Sequence, residues 1–224
     1  MADAKFFWDK DKSKNLIKQI AKLKDVQFYE SLGSIYDKTQ RLRKLSGMLA
    51  DELNLNKEKA EIAASISKSD LCSDLVNEYP DLQGLMGKYF ALSQGFEEDV
   101  SNAVSDHYLP IGINSETPKK PISYTVSITD KIDTLVGFFL INEKPTSSKD
   151  PFALRRSAIG LLRTIIDNKL NLKLRNFISY NIKLFEEQGV KKINENSENE
   201  ILNFLKERMK NILKDKNIKN DIIE

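Results

Sequence analysis

Four basic side chains in the 224-residue chain could hold phosphate groups: Lys131, Lys149, Arg156 and Arg163. A guanidinium group can bind a phosphate through two parallel hydrogen bonds, whereas an ammonium group acts as a point charge. The alternative is a solvated helix face on which the two arginines pair with Asp167, an arrangement worth at most about 1 kcal/mol when exposed. The residue types therefore indicate either phosphate contact or an ordinary wet surface.

The local sequence predicts a helix over 151–167 that would position these cations. Asp150 can accept hydrogen bonds from the free amides at the start of a helix, and Pro151 suits the first helical position. Lys149 would then stand just before the positive end of the helix, where an anion is favoured. The two arginines follow on one outward face, two turns or roughly 10 Å apart.

Arg155 is predicted to have a different role from its neighbour. At roughly 100° per residue it falls in an apolar stripe with Phe152 and Ile159. A buried guanidinium needs a compensating acceptor. We therefore expect Arg155 to be structural and to pair with Asp130 or Asp133 on the preceding helix.

Five segments of the chain resemble one protein family, the β subunit of the bacterial heterotetrameric glycyl-tRNA synthetase. Similar sequence runs from residue 3 to about Arg163. The spelling differs at Ser147, where the family commonly has Gly, and at Asp106, where it commonly has Glu. The segments that carry the resemblance are Asp3–Trp8, Asp81–Tyr89, Asp106–Pro110, Asp130–Gly137 and Lys144–Arg156.

This resemblance implies that the chain helps to hold tRNA(Gly) while an α subunit activates glycine with ATP and Mg²⁺. On this view the four cations contact the tRNA backbone, and the chain carries no catalytic residue and no cofactor of its own. Its partners would be tRNA(Gly), the α subunit and the remaining β-subunit domains, and the 224 residues would be a piece of a longer chain.

A second resemblance concerns the stretch 41–71, which is similar to the opening helices of the HD superfamily of metal phosphohydrolases. That superfamily binds metal through a His, a later His-Asp pair and a last Asp. The corresponding positions here are Lys38 or Thr39, the pair Ser69-Asp70, and Asp130, so both imidazoles are missing. The expected fold is therefore an all-α, HD-like helical bundle with a degenerate metal site.

Two alternatives to the tRNA-contacting role stay open. Asp70 and Asp130 alone could hold Mg²⁺ if substrate phosphates and waters completed its shell, as in a metal-dependent phosphohydrolase. The chain could also be a purely architectural module. Metal content and tRNA binding would separate these three functions.

Composition excludes several other classes of protein. With one cysteine, Cys72, and one histidine, His107, there is no internal disulfide and little basis for a nucleophilic triad. Neither glycine-rich phosphate motif occurs. The net charge of +2 gives no global attraction for nucleic acid. No apolar run approaches the length of a membrane span, and the N-terminus does not resemble a signal peptide, so we expect a cytoplasmic protein.

Helical periodicity runs through nearly the whole chain. Residues 123–128 alternate like a strand, but apolar residues continue at helical spacing to Phe139, which favours a helix over 122–141. Three of the six prolines mark a loop over 109–121. We predict an HD-like domain over 1–188 and a C-terminal helical extension over 189–224. Further helices are expected near 16–23, 42–53, 57–68, 70–78, 81–93, 96–108, 171–187 and 198–215.

Overall fold

The structure is a computed structural model that describes residues 2–112 and 114–215, and the chain divides into two compact units. Unit one comprises Met1–Tyr108 and Pro118–Thr129, and unit two comprises Leu109–Thr117 and Asp130–Glu224. The predicted HD-like domain over 1–188 and C-terminal helical extension over 189–224 stay predictions. The last described helix buries Ile201 and Leu205.

The prediction of an all-α fold is confirmed, although one small β-hairpin was missed. Its two strands are antiparallel, and the second strand begins at Gly33, whose φ is +83°. The first strand has three residues and the second has two, so neither is long enough to show an alternating pattern in the sequence. The elements of unit one are α1 (Ala2–Asp11), α2 (Leu16–Ile20), β1 (Gln27–Tyr29), β2 (Gly33–Ser34), α3 (Ile35–Glu52), α4 (Lys57–Ile66), α5 (Asp74–Glu78), α6 (Leu85–Ser93) and α7 (Glu98–Asp106).

The core of unit one forms around α3 and α4. Ser34 and Asp37 make a reciprocal capping box, which fixes the start of α3. Leucines at 42, 45 and 49 of α3 are fully buried. Small residues at 60, 63 and 64 of α4 are also fully buried, and their size allows the two helices to approach closely.

The long helix α8 (Pro121–Leu140) confirms the choice of helix over strand for 123–128. Its first nine residues belong to unit one and the rest to unit two. In unit two, Phe138 stacks on Phe152 with 4.1 Å between ring centroids, and Phe139 meets Phe204 edge-on at 5.2 Å. The remaining helices are α9 (Leu154–Asp167), α10 (Leu174–Glu187) and α11 (Ser197–Asp215).

The start of α9 corrects the prediction that this helix begins at Pro151. Ala153 adopts a left-handed backbone conformation with a φ of +52°, so helical geometry begins only at Leu154. The tertiary stack of Phe152 on Phe138 draws the preceding residues out of the helix. Local propensity favoured Pro151 as the first residue, and the packing of an aromatic ring overrides it.

Candidate nucleic-acid interface

Unit two contains a cleft of about 680 Å³ beside α9. One wall is the loop that precedes α8, at residues 110–112 and 114. The other wall is the face of α9 that carries Arg155, Arg156 and Arg163, together with the turn that leads into this helix. We call this feature the α9 cleft. Three of its lining residues are arginines, so it is the strongest candidate for an anion site among the described residues.

Asp150 caps α9 from a position further upstream than predicted. Its two carboxylate oxygens accept hydrogen bonds from the amides of Leu154 (2.8 Å) and Arg155 (3.0 Å). The predicted capping chemistry is therefore present, but with different amides. Because the carboxylate already occupies the amides of Leu154 and Arg155, these two amides do not serve an external anion. The cationic groups that line this cleft are the arginine side chains.

The predicted burial and carboxylate pairing of Arg155 are wrong. Its side chain is only half-buried, and its guanidinium donates to the backbone carbonyl of Thr146. The described contacts of Arg155 include no ion pair with Asp130 or Asp133, both of which have partners of their own. The later start of α9 explains the error, because the turn at Thr146 provides a neutral acceptor beside the helix.

Arg163 was predicted to face outwards, but it holds the loop wall of the cleft. Its guanidinium donates to the carbonyls of Ser115 (2.9 Å) and Gly112 (3.3 Å). At the same end of α9, Asp167 accepts a hydrogen bond from the hydroxyl of Thr117 at 3.0 Å. The guanidinium of Arg163 is thus committed to protein carbonyls and fixes the position of the loop.

Lys131 is also misplaced by the sequence prediction, because its side chain is only 7% exposed. Its ammonium donates to the carbonyl of Leu109 at 2.7 Å. Gly160 leaves space for this side chain, since a Cβ there would lie 2.9 Å from Lys131 Cε and 3.3 Å from the Pro110 ring. A lysine buried in this way cannot contact tRNA, so its assignment to the tRNA surface is corrected to a structural one.

Arg156 and Lys149 remain the two predicted cations that face solvent. Both side chains are exposed, and Arg156 lines the α9 cleft. Lys149 precedes Asp150 in a tight turn in which the amide of Thr146 donates to the Lys149 carbonyl at 2.9 Å. Within the described part of the chain, neither charged group has a side-chain hydrogen bond or an ion pair.

Arg208 on α11 is a cation of unit two that sequence reasoning missed. Its guanidinium lies 3.7 Å from the Phe204 ring centroid, and burial, aided by the positive charge of Arg155, lowers its pKa. The apolar part of the cleft was missed too, notably Ile111, whose side chain is 67% exposed. The sequence signal for this apolar surface was the cluster of prolines before α8. It predicts a loop, but it does not predict that the loop lies beside α9.

Three of the positions compared with the HD metal ligands, Asp70, Lys38 and Thr39, make contacts within the protein. Asp70, in unit one, is fully buried, and its Oδ2 accepts the amides of Gly84 (2.6 Å) and Gly87 (3.3 Å). Lys38 is buried with its ammonium over the Phe28 ring, and Thr39 donates to the Tyr36 carbonyl. Over the described ranges, no group of three or more His, Cys, Asp or Glu side chains could hold a metal ion. The HD-like fold and its degenerate metal site stay predictions.

Comparison with known proteins identifies the family. The family profile described as glycyl-tRNA synthetase beta subunit matches residues 1–224. The chain belongs to the glycyl-tRNA synthetase β-subunit family. Among its relatives are the glycine–tRNA ligase β subunits of Colwellia psychrerythraea (42% identical), Clostridioides difficile (42%) and Phenylobacterium zucineum (38%). Each alignment covers the whole of this chain but only 31–33% of the relative, so the chain spans about a third of their length.

Two segments that carry the family resemblance meet in unit one. Gly84 has a φ of +80°, and a Cβ there would lie 2.7 Å from the Tyr108 ring. A Cβ at Gly87 would come equally close to the side chain of Val104. The two glycines therefore let α6 pack closely against α7 and present their amides to Asp70. In this region the shared motif is explained by packing.

No helix in the described part of the chain has both the length and the apolar character needed to cross a membrane.

Proposed function

We propose that this chain is a tRNA-contacting and scaffolding part of a glycine–tRNA ligase β subunit. In the complete enzyme it would support ATP- and Mg²⁺-dependent glycylation of tRNA(Gly), with activation of glycine at the α subunit. The observation that carries the proposal is the pair of solvent-facing cations, Lys149 and Arg156, at and beside the α9 cleft. Family membership supplies the substrate class.

Lys149 and Arg156 make no ion pair within the described residues that a phosphate would have to replace. A charged group already paired within the protein would have to break that pair to bind RNA. Neutralising one phosphate releases counterions, which gives affinity without reading base identity. The contact would therefore position the tRNA and not select its sequence.

The scaffolding part of the proposal rests on Lys131 and Arg163. Both donate to backbone carbonyls of the segment Leu109–Thr117 and so hold one wall of the cleft in place. They would influence tRNA binding only through the position of that wall. Arg156 and Lys149 would act directly.

The test is tRNA affinity of the complete α plus β enzyme carrying Lys149→Ala and Arg156→Ala together. Loss of two phosphate contacts should weaken binding roughly tenfold near physiological salt and lower the slope of log affinity against log salt by nearly 2. The matched control is Lys183→Ala with Lys206→Ala, two exposed lysines of unit two that lie outside the cleft.

Unchanged affinity in a folded Lys149/Arg156 variant would leave the purely architectural role as the better explanation. An equal loss in the control variant would show that the effect reflects overall charge and not this surface.

A further inference from the structure

The α9 cleft is larger than a phosphate contact requires. A phosphate needs only the cationic rim, whereas the cleft encloses about 680 Å³, within the range of pockets that bind small organic groups. Its lining includes the apolar side chains of Pro110, Ile111, Ala153 and Ile159. A ligand that used the whole cleft would need an apolar part as well as an anionic part.

The loop wall of the cleft is held in place before any ligand binds. Arg163 fixes the carbonyls of Gly112 and Ser115, and Lys131 fixes the carbonyl of Leu109. Gly160 lets Pro110 lie close to α9. A wall fixed in advance lowers the entropy that binding must overcome.

Ile111 supplies an apolar surface on this fixed wall. Its side chain is 67% exposed and lines the same cleft as the guanidinium of Arg156. An aliphatic side chain and a free guanidinium that line one cleft suit a flat heterocycle joined to a phosphate. A base-paired stretch of RNA presents phosphates and sugars but keeps its base faces stacked, so only an unstacked nucleotide could use both features.

We propose that the α9 cleft binds one unpaired nucleotide of the RNA, with its base against Ile111 and its phosphate on Arg156. This inference rests on the proposed tRNA-contacting function and adds the kind of nucleotide that the surface receives. Base contacts of this type tolerate different bases, because every base has an apolar face.

The decisive variant is Ile111→Ala in the complete α plus β enzyme, with Ile193→Ala as its matched control. Ile193 also belongs to unit two and is 65% exposed, but it does not line the cleft. Loss of the apolar contact between Ile111 and the base should weaken tRNA binding roughly threefold to tenfold. The salt slope should stay unchanged, because no phosphate contact is removed. Ribose acylation of the bound tRNA should show one nucleotide that becomes more reactive with Ile111→Ala than with the unchanged enzyme.

The outcomes separate this inference from the proposed function. If Ile111→Ala behaves like Ile193→Ala while the Lys149/Arg156 variant weakens binding, the nucleotide pocket is wrong and the backbone contact stands. If neither change affects tRNA binding, both proposals fail. Ile111-dependent binding of a free nucleoside monophosphate, without any effect on tRNA, would also overturn the RNA assignment.

Discussion

Asp70 is a buried carboxylate whose two oxygen atoms have different surroundings. Oδ2 accepts two backbone amides at the start of α6, while Oδ1 is buried without a hydrogen-bond partner among the described residues. Burial raises the pKa of this carboxyl above its usual value, and the amides of Gly84 and Gly87 and the charge of Lys68 oppose that shift. Folded protein therefore holds the Asp70 proton more tightly than the unfolded chain does.

This difference gives Asp70→Asn a predicted pH dependence. Because the folded pKa is raised, the wild-type carboxyl stabilises the fold in acid and loses that contribution as pH rises through the raised pKa. Asparagine keeps an acceptor oxygen for the two amides and carries no charge. In chemical unfolding at neutral pH, the free energy of unfolding of the variant should be at least as large as that of wild type. In acidic buffer the variant should be less stable relative to wild type than it is at neutral pH.

The control for this prediction is Asp74→Asn. Hydrogen bonds from Lys10 and Lys14 lower the pKa of Asp74, so its stabilisation is present at neutral pH and is lost only in stronger acid. The two variants should therefore respond to pH in opposite directions. If Asp70→Asn were most damaging at neutral pH, the helix amides would outweigh the cost of burying the charge.

The loop Leu109–Thr117 receives hydrogen bonds from the side chains of Lys131 and Arg163 elsewhere in unit two. Lys131→Met removes the ammonium that donates to the Leu109 carbonyl but keeps an unbranched stem beside Gly160. A hydrogen bond from a charged donor stabilises by about 1.5–3 kcal/mol. Hydrogen exchange at the Ser115 amide, which bonds the Gly112 carbonyl, should accelerate by roughly tenfold or more.

Lys183→Met on α10 provides the comparison, because Lys183 is exposed and the described structure shows no partner for it. Its effect on exchange at Ser115 should be negligible. If Lys131→Met also left this amide unchanged, Arg163 alone would suffice to hold the loop.

Local periodicity predicted the elements better than it predicted the site. The helix over 122–141, the loop after residue 108 and the exposure of Arg156 follow from patterns within a few turns of chain, and the structure has them all. Lys131 and Arg163 were misplaced because their acceptors are carbonyls 22 and 48 residues away in sequence. A helical wheel shows only the residues of one helix, so it cannot show an acceptor in a distant loop.

The prediction for Arg155 also failed because its acceptor lies outside the helix, although this acceptor is closer in sequence. Its wheel position assumed that helical geometry began at Pro151, but Ala153 departs from it and Phe152 stacks on Phe138. Shifting the start of α9 brings Arg155 beside the Thr146 carbonyl instead of a carboxylate. The helix start and the partner of Arg155 therefore both differ from what a helical wheel drawn from Pro151 predicts.

Over the whole molecule, positive and negative charges nearly balance, with 35 Lys and Arg against 33 Asp and Glu. A chain with so little net charge has no general attraction for RNA. Any electrostatic attraction must come from local groups whose charge is not matched by a neighbour. Lys149 and Arg156 meet this condition within the described residues and also lie at and beside the α9 cleft, unlike the unpaired Lys183, which is why these two substitutions should have a measurable effect.

In the complete enzyme, we expect loss of these two cations to affect the use of tRNA and not the activation of glycine. If glycine is activated at the α subunit, as proposed, Lys149→Ala with Arg156→Ala should leave the rate of glycine-dependent exchange between ATP and pyrophosphate unchanged. Glycylation should show a KM for tRNA raised roughly tenfold with a nearly unchanged kcat, because the lost contacts bind the ground state and the transition state equally. A matching fall in the exchange rate would instead mean that this surface supports glycine activation. A lower kcat at constant KM would place its contribution in the transfer step, where correct positioning of the tRNA matters most.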